Sequence, residues 1–204
     1  MNRHDTPTAP PRVEAPSAQK PLKQRSPTMP NSYLIVIDMQ NDFIDGALGT
    51  PEAQAIVEAV VERARAFEGC VVFTRDTHGP NYAATQEGRN LPVPHCIKGT
   101  QGWELAPALD ELQRLLDAPV FDKPSFGSLD LARWLVAQNN AAPIDSIELC
   151  GLCTDICVVS NALTIKAHLP EVPLIVNPAL CAGVTPAAHD AAIATMACCQ
   201  VQIL

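Results

Sequence analysis

Residues 33–43 read Tyr-Leu-Ile-Val-Ile-Asp-Met-Gln-Asn-Asp-Phe, five apolar side chains in a row closed by an acid. A run of this kind, without polar alternation, describes a strand covered on both faces, which is the environment of a parallel sheet. Working outward, Cys70–Thr74, Val120–Phe121, Ser146–Cys150, Leu174–Val176 and Val201–Ile203 are further short strands. Between them Pro51–Phe67, Glu104–Leu116, Leu129–Gln138, Asp155–His168 and Pro186–Met196 carry helical patterns. Strands alternating with helices imply right-handed crossovers and a three-layer, doubly wound α/β fold on a mostly parallel six-stranded sheet. Ligands of such sheets bind beyond the carboxyl ends of the strands, so residues with chemistry to do should follow strands.

Three strand ends meet that demand. Asp38 closes the first strand, where a carboxylate is expensive to bury unless it has a partner or a task; an acid capping the next loop is the ordinary alternative. Val120-Phe121-Asp122-Lys123-Pro124 repeats the arrangement with a cation. Lys123 there is costly unpaired, and Asp38 is its natural counter-charge if the two strands neighbour one another; a surface lysine is the commoner case. Gly151-Leu152-Cys153-Thr154-Asp155-Ile156-Cys157-Val158 follows the fourth strand and opens a helix. With Thr154 as N-cap, Cys157 falls in the first turn, where unpaired N–H groups and the helix dipole favour a thiolate and offer donors to an oxyanion. Taken alone, Cys157 is as well explained as a small buried apolar residue. Cys153 and Cys157 also form a CxxxC pair, open to a redox reading but lacking the spacing of a zinc site.

A fourth constellation leaves the second strand as Phe73-Thr74-Arg75-Asp76-Thr77-His78. Asp76 and His78, two apart in extended chain, point the same way. His95 follows Pro92-Val93-Pro94, and Glu87 lies between. Two imidazoles and two carboxylates suit a divalent zinc, manganese or iron ion; four polar loop residues without a ligand fit the same letters. Cys96, beside His95, is either a soft ligand or an inert neighbour. His4, His168 and His189 require no role.

The 204 residues are 47% hydrophobic, enough for one α/β domain, and no apolar run is long enough to span a membrane. Residues 1–30 hold seven prolines and five basic against two acidic side chains; the remainder holds nine basic against twenty acidic. The expected organisation is a disordered Pro-rich tail over 1–31 and a domain over 32–204. An acidic domain is a poor match for nucleic acid. The N-terminus has no apolar segment of a secretory signal, and the eight cysteines sit mostly in apolar runs, so a soluble protein of a reducing, cytoplasmic compartment is expected.

From Tyr33 to the C-terminus the chain resembles the isochorismatase-like cysteine hydrolases, and within them the nicotinamidase type. The resemblance rests on Val36-Ile37-Asp38-Met39-Gln40-Asn41-Asp42-Phe43, on Phe121-Asp122-Lys123, and on Gly151 to Val158 in that order and spacing. It implies the Rossmann-like isochorismatase fold, a homo-oligomer and a small amide as substrate. It also implies catalysis by Asp38, Lys123 and Cys157 through a thioester acyl-enzyme: Asp38 takes the thiol proton and gives it to the leaving amine. A cis Leu152–Cys153 peptide would turn the N–H groups of Cys153 and Cys157 to the oxyanion. The resemblance further implies Asp76, His78 and His95, with Glu87, as metal ligands, and Phe43 as a wall for the substrate ring.

Three departures bear on the substrate, one of them Pro124-Ser125-Phe126-Gly127-Ser128, shorter in polar character than many nicotinamidases show. Leu91-Pro92-Val93-Pro94 stands where nicotinamidases usually carry an aromatic residue before the second histidine, and Asn177-Pro178 replaces a common acid. Nicotinamide hydrolysis to nicotinate and ammonia is the leading expectation. The alternatives are an amidase or carbamoyl hydrolase on another small amide, a non-catalytic binding protein, and a thiol redox protein using Cys153 and Cys157.

Overall fold

The structure, a computed structural model, describes residues 31–204. In chain order it contains β1 (Ser32–Ile37), α1 (Asn41–Ile44), α2 (Pro51–Ala66), β2 (Cys70–Asp76), α3 (Gln86–Asn90), α4 (Pro107–Leu116) and β3 (Val120–Lys123). Then follow α5 (Leu129–Ala141), β4 (Ser146–Leu152), a π-helical turn (Thr154–Val158) running into α6 (Val159–His168), β5 (Leu174–Ala182), α7 (Pro186–Cys198) and β6 (Gln202–Ile203). The Pro-rich tail expected at the N-terminus lies, apart from Asn31, outside the described residues. Asn31 itself donates from its side chain to Ala142 O and Pro143 O.

The six strands run in the order β3-β2-β1-β4-β5-β6. Every pairing is parallel, so the sheet expected to be mostly parallel is parallel throughout. The uninterrupted apolar run of β1 explains its central place: Leu34 and Val36 face one core with α2 and α4, while Tyr33, Ile35 and Ile37 face the other with α5, α6 and α7. Both faces must be apolar for a strand sandwiched this way. No helix among the described residues is long and apolar enough to cross a membrane.

Local chemistry sets the helix starts. Thr50, Ser128 and Thr185 each accept, through a side-chain oxygen, the N–H three residues on. Such caps stabilise by about 1 kcal/mol each. Helix α4 begins at Pro107 rather than at the expected Glu104, because Ala106 N–H is engaged by Met39 O and Pro107 supplies the preset first turn. Strands β2 and β3 run two residues past their expected ends, which carries Asp76 and Lys123 to the last rungs of the sheet, where they are register partners.

The condition set for pairing Lys123 with Asp38 is not met, since β2 lies between β1 and β3, yet the pair forms. Lys123 therefore reaches Asp38 across the tip of β2, and Asp76, at that tip, becomes a third member of the contact. At the other flank of β1, Gly151 has φ 114°, and a Cβ there would lie 2.1 Å from Ile37 O. Only glycine lets β4 end against β1 in this way.

Candidate active site

Three chain segments meet at the carboxyl rim of the sheet. Lys123 Nζ lies 2.7 Å from Asp38 Oδ2, donates to Cys157 Sγ at 3.3 Å and to Ser125 O at 3.2 Å, and lies 3.4 Å from Asp76 Oδ1. All three expected side chains are at least 96% buried: Asp38 is 0%, Lys123 1% and Cys157 4% exposed. Asp38 also adopts φ 45°, a left-handed conformation uncommon outside glycine, at the point where the chain turns off β1.

The fixing groups around them carry no signal beyond their place beside the motifs. Thr74 donates its hydroxyl to Asp38 Oδ1 at 2.6 Å and accepts from Asp38 N–H at 3.2 Å. Its fully buried position on β2 reads in the sequence as ordinary strand filling. Gln40 donates through Nε2 to Asp76 O and Trp103 O, and accepts from Asp76 N–H. Asn161, one helical turn past the thiol, donates to Cys157 O and Phe126 O and accepts from Ser128 N–H. With Oδ1 held by Thr74, Asp38 Oδ2 is paired by charge with Lys123, without an aligned hydrogen bond among the described residues. That oxygen is the one open to a moving proton.

Electrostatics here differ from the thiolate expected at a helix start. Burial pushes the Cys157 thiol well up, the Asp38 carboxylate pushes the same way, and Lys123 opposes both. Burial likewise raises Asp38, against the pull of Lys123. Burial works against the charge of Lys123, yet Asp38, Cys157 and Asp76 carry its pKa above the ordinary lysine value.

Cys157 sits in the π-helical turn, whose cap is Cys153 rather than the expected Thr154. Cys153 O accepts from both Ile156 N–H and Val158 N–H. The Leu152–Cys153 peptide is cis. Burial pushes the Cys153 thiol up to about 12, and all eight cysteines are free thiols. The Thr154 hydroxyl turns away from the helix to His189 Nδ1 at 2.8 Å, so His189, set aside in the sequence, touches the turn that carries Cys157.

The second constellation also assembles. One ligand atom from each of Asp76, His78, Glu87 and His95 lies within 4.8 Å of all the others. His78 Nε2 is 2.8 Å from Asp76 Oδ2 and 3.6 Å from Glu87 Oε1, and His95 Nε2 is 3.5 and 3.7 Å from the same oxygens. Val93 O, which can only accept, lies 2.9 Å from His95 Nδ1. With the proton on Nδ1, a neutral ring turns its Nε2 lone pair toward two carboxylates; burial works against the charged ring, yet Asp76 raises its pKa above the ordinary histidine value. His78 Nε2 is buried without an aligned hydrogen bond. Acceptors facing acceptors at these distances fit a divalent cation. Cys96 stays out of the cluster: its thiol is buried and pushed up, and its N–H donates to Asp42.

Cys157 and all four of Asp76, His78, Glu87 and His95 line one cavity of about 780 Å³, which Asp38 and Lys123 do not line. Phe43, buried on α1, lines it and leans toward the His95 ring, 5.5 Å between centroids. Tyr82, unremarked in the sequence, packs edge-on against His78 and His95. Leu91 and Phe126 form much of the apolar rim.

The profile of the isochorismatase domain matches residues 32–204. A nicotinamidase/pyrazinamidase of Mycobacterium tuberculosis is 28% identical over 191 residues, covering 84% of this chain and 97% of the relative. Among solved structures, a nicotinamidase/pyrazinamidase of Bacillus subtilis superposes with a TM-score of 0.74 at 28% identity, covering 85% of this chain and 98% of the other. A pyrazinamidase of Pyrococcus horikoshii in complex with zinc superposes with a TM-score of 0.69 at 27% identity, covering 86% and 99%.

Proposed function

The chain belongs to the isochorismatase family, as a nicotinamidase-type amidohydrolase, and from that premise we propose that it converts nicotinamide to nicotinate and ammonia through a thioester on Cys157. The observation that carries this reading is Lys123 Nζ in contact with both Asp38 and Cys157 Sγ.

In the proposed sequence Cys157 Sγ attacks the carboxamide carbon as its proton passes to Asp38. The transfer moves charge from carboxylate to sulfur without altering the net charge of the buried group, and Lys123 borders both ends. The oxyanion that forms is met by the N–H groups of Cys153 and Cys157. Asp38 returns the proton to nitrogen as the C–N bond breaks and ammonia leaves. Water then attacks the thioester carbonyl with Asp38 taking its proton, and as the C–S bond breaks to release the acid, Asp38 returns that proton to Cys157 Sγ. Asp76, His78, Glu87 and His95 would hold a zinc, manganese or iron ion, which supplies a Lewis-acid position for a ring nitrogen. Phe43 flanks the ring. A reducing, cytoplasmic setting suits a chemistry that depends on a free thiol.

The test is ammonia release from nicotinamide and pyrazinamide by the metal-loaded protein. Turnover of both supports the reading, and none refutes it. A second reading, hydrolysis of another small amide or carbamoyl compound, is favoured by the aliphatic Leu91 on the cavity wall. Turnover of such amides in preference to nicotinamide would select it.

A further inference from the structure

We infer that His189 is a positioning residue for the oxyanion turn: through Thr154 it holds the backbone between Cys153 and Cys157 in register with the substrate carbonyl. The inference rests on the acyl-enzyme reading above and adds to it a residue outside the cavity.

The contact is unlike the other threonine contacts of the helices. A helical threonine hydroxyl ordinarily returns to the carbonyl four residues back, as Thr164 does to Ser160 O (2.7 Å) and Thr195 to Ala191 O (2.9 Å). Thr154 follows the strand β4, so no helical carbonyl precedes it. Its hydroxyl, fully buried, instead meets His189 Nδ1 on α7, 35 residues away. A buried hydroxyl without a partner costs about 1–3 kcal/mol, so the turn is held where His189 can be reached.

A second tie runs beside the first. Asp155 Oδ1 accepts from Val184 N–H at 3.0 Å, in the loop between β5 and α7. That loop comes so close that a Cβ at Gly183 would lie 2.9 Å from His189 N and 3.0 Å from Asp155 Oδ1. Two successive residues of the turn, Thr154 and Asp155, are thus pinned by one segment, 183–189, and they lie between the two residues whose N–H groups are assigned to the oxyanion. His189 is not among the residues lining the cavity, so it acts on the reaction only through Thr154. The contact survives either protonation state: the hydroxyl donates to a neutral Nδ1, or a protonated Nδ1 donates to the hydroxyl.

The experiment compares wild-type protein with His189→Ala and His189→Asn, all metal-loaded, by kcat and KM for ammonia release and by the rate of Cys157 alkylation with iodoacetamide. Alkylation forms an S–C bond and expels iodide from a saturated carbon, so no oxyanion develops and the turn is not called upon. The expected result for His189→Ala is a kcat lowered about 10-fold, short of the roughly 10²–10³ lost with a whole oxyanion donor. KM and the alkylation rate should stay within about twofold of wild type. His189→Asn, whose amide places a polar atom near the position of Nδ1, should recover most of the loss. Three outcomes overturn the inference: wild-type kcat in His189→Ala, alkylation falling in step with kcat, or a folded His189→Asn variant no faster than alanine. A wild-type protein that hydrolyses no amide at all would overturn the hydrolase reading and this inference together, and is separable from an active enzyme indifferent to residue 189.

Discussion

Lys123 is the residue on which the site turns, because a cation 1% exposed is tolerable only where negative groups surround it. Asp38 and Asp76 do so, and the thiol of Cys157 completes the shell. Replacing it by an apolar side chain of similar length, Lys123→Met, strands two carboxylates. Urea unfolding should show a loss of about 3–5 kcal/mol, and ammonia release should fall to background. Unchanged stability would mean that the ammonium is not what makes the buried acids tolerable. Thr74→Val is the subtler change, since it keeps the shape of the strand and removes the hydroxyl that steers Asp38 Oδ1. The expected outcome is a kcat lowered on the order of 10-fold with the fold intact by circular dichroism; hydrogen bonds to charged groups are worth about 1.5–3 kcal/mol.

At the scale of elements, the strand ends decide where chemistry happens, and they are where sequence and structure agree most closely. The apolar run of β1 announces a central parallel strand, and by the rule of the carboxyl rim Asp38 and Cys157 follow strands while Lys123 ends one. What the letters leave out is lateral order. Nothing in residues 33–37 or 120–123 says that β2 separates the two strands, so the role of Asp76 as a bridge to Lys123 appears only in three dimensions. Thr74, Gln40 and Asn161 are invisible for a related reason: their partners are backbone atoms or side chains up to 63 residues away, and no local pattern marks them. The thiolate expected at the helix start meets burial and the Asp38 carboxylate, which both push the Cys157 thiol up, against the pull of Lys123. Gly151, by contrast, is a prediction of its own. Gly151→Ala sets a methyl against Ile37 O in a conformation L-residues avoid, and should cost more than about 2 kcal/mol in chemical unfolding. A variant as stable as wild type would show that β4 can shift off β1.

For the whole molecule, the two cores share one rim, so the metal group and the thiol group are set by the same sheet. A cation bound by Asp76, His78, Glu87 and His95 stabilises the folded state only, and at a hundredfold excess over its Kd contributes about 2.7 kcal/mol. Thermal unfolding with and without a saturating chelator should differ by roughly 5–10 °C in a domain of this size. In His95→Ala most of that difference should vanish. A chelator-insensitive midpoint in the wild type would leave the four residues as a polar cluster without an ion.

The direct test of the central claim is the mass of the protein quenched in acid during turnover of nicotinamide. A Cys157 thioester predicts a transient species heavier by one nicotinoyl group, the added mass mapping to the peptide that contains Cys157 and missing from Cys157→Ala. Ammonia released at full rate with Cys157 never modified, or undiminished in Cys157→Ala, would contradict it.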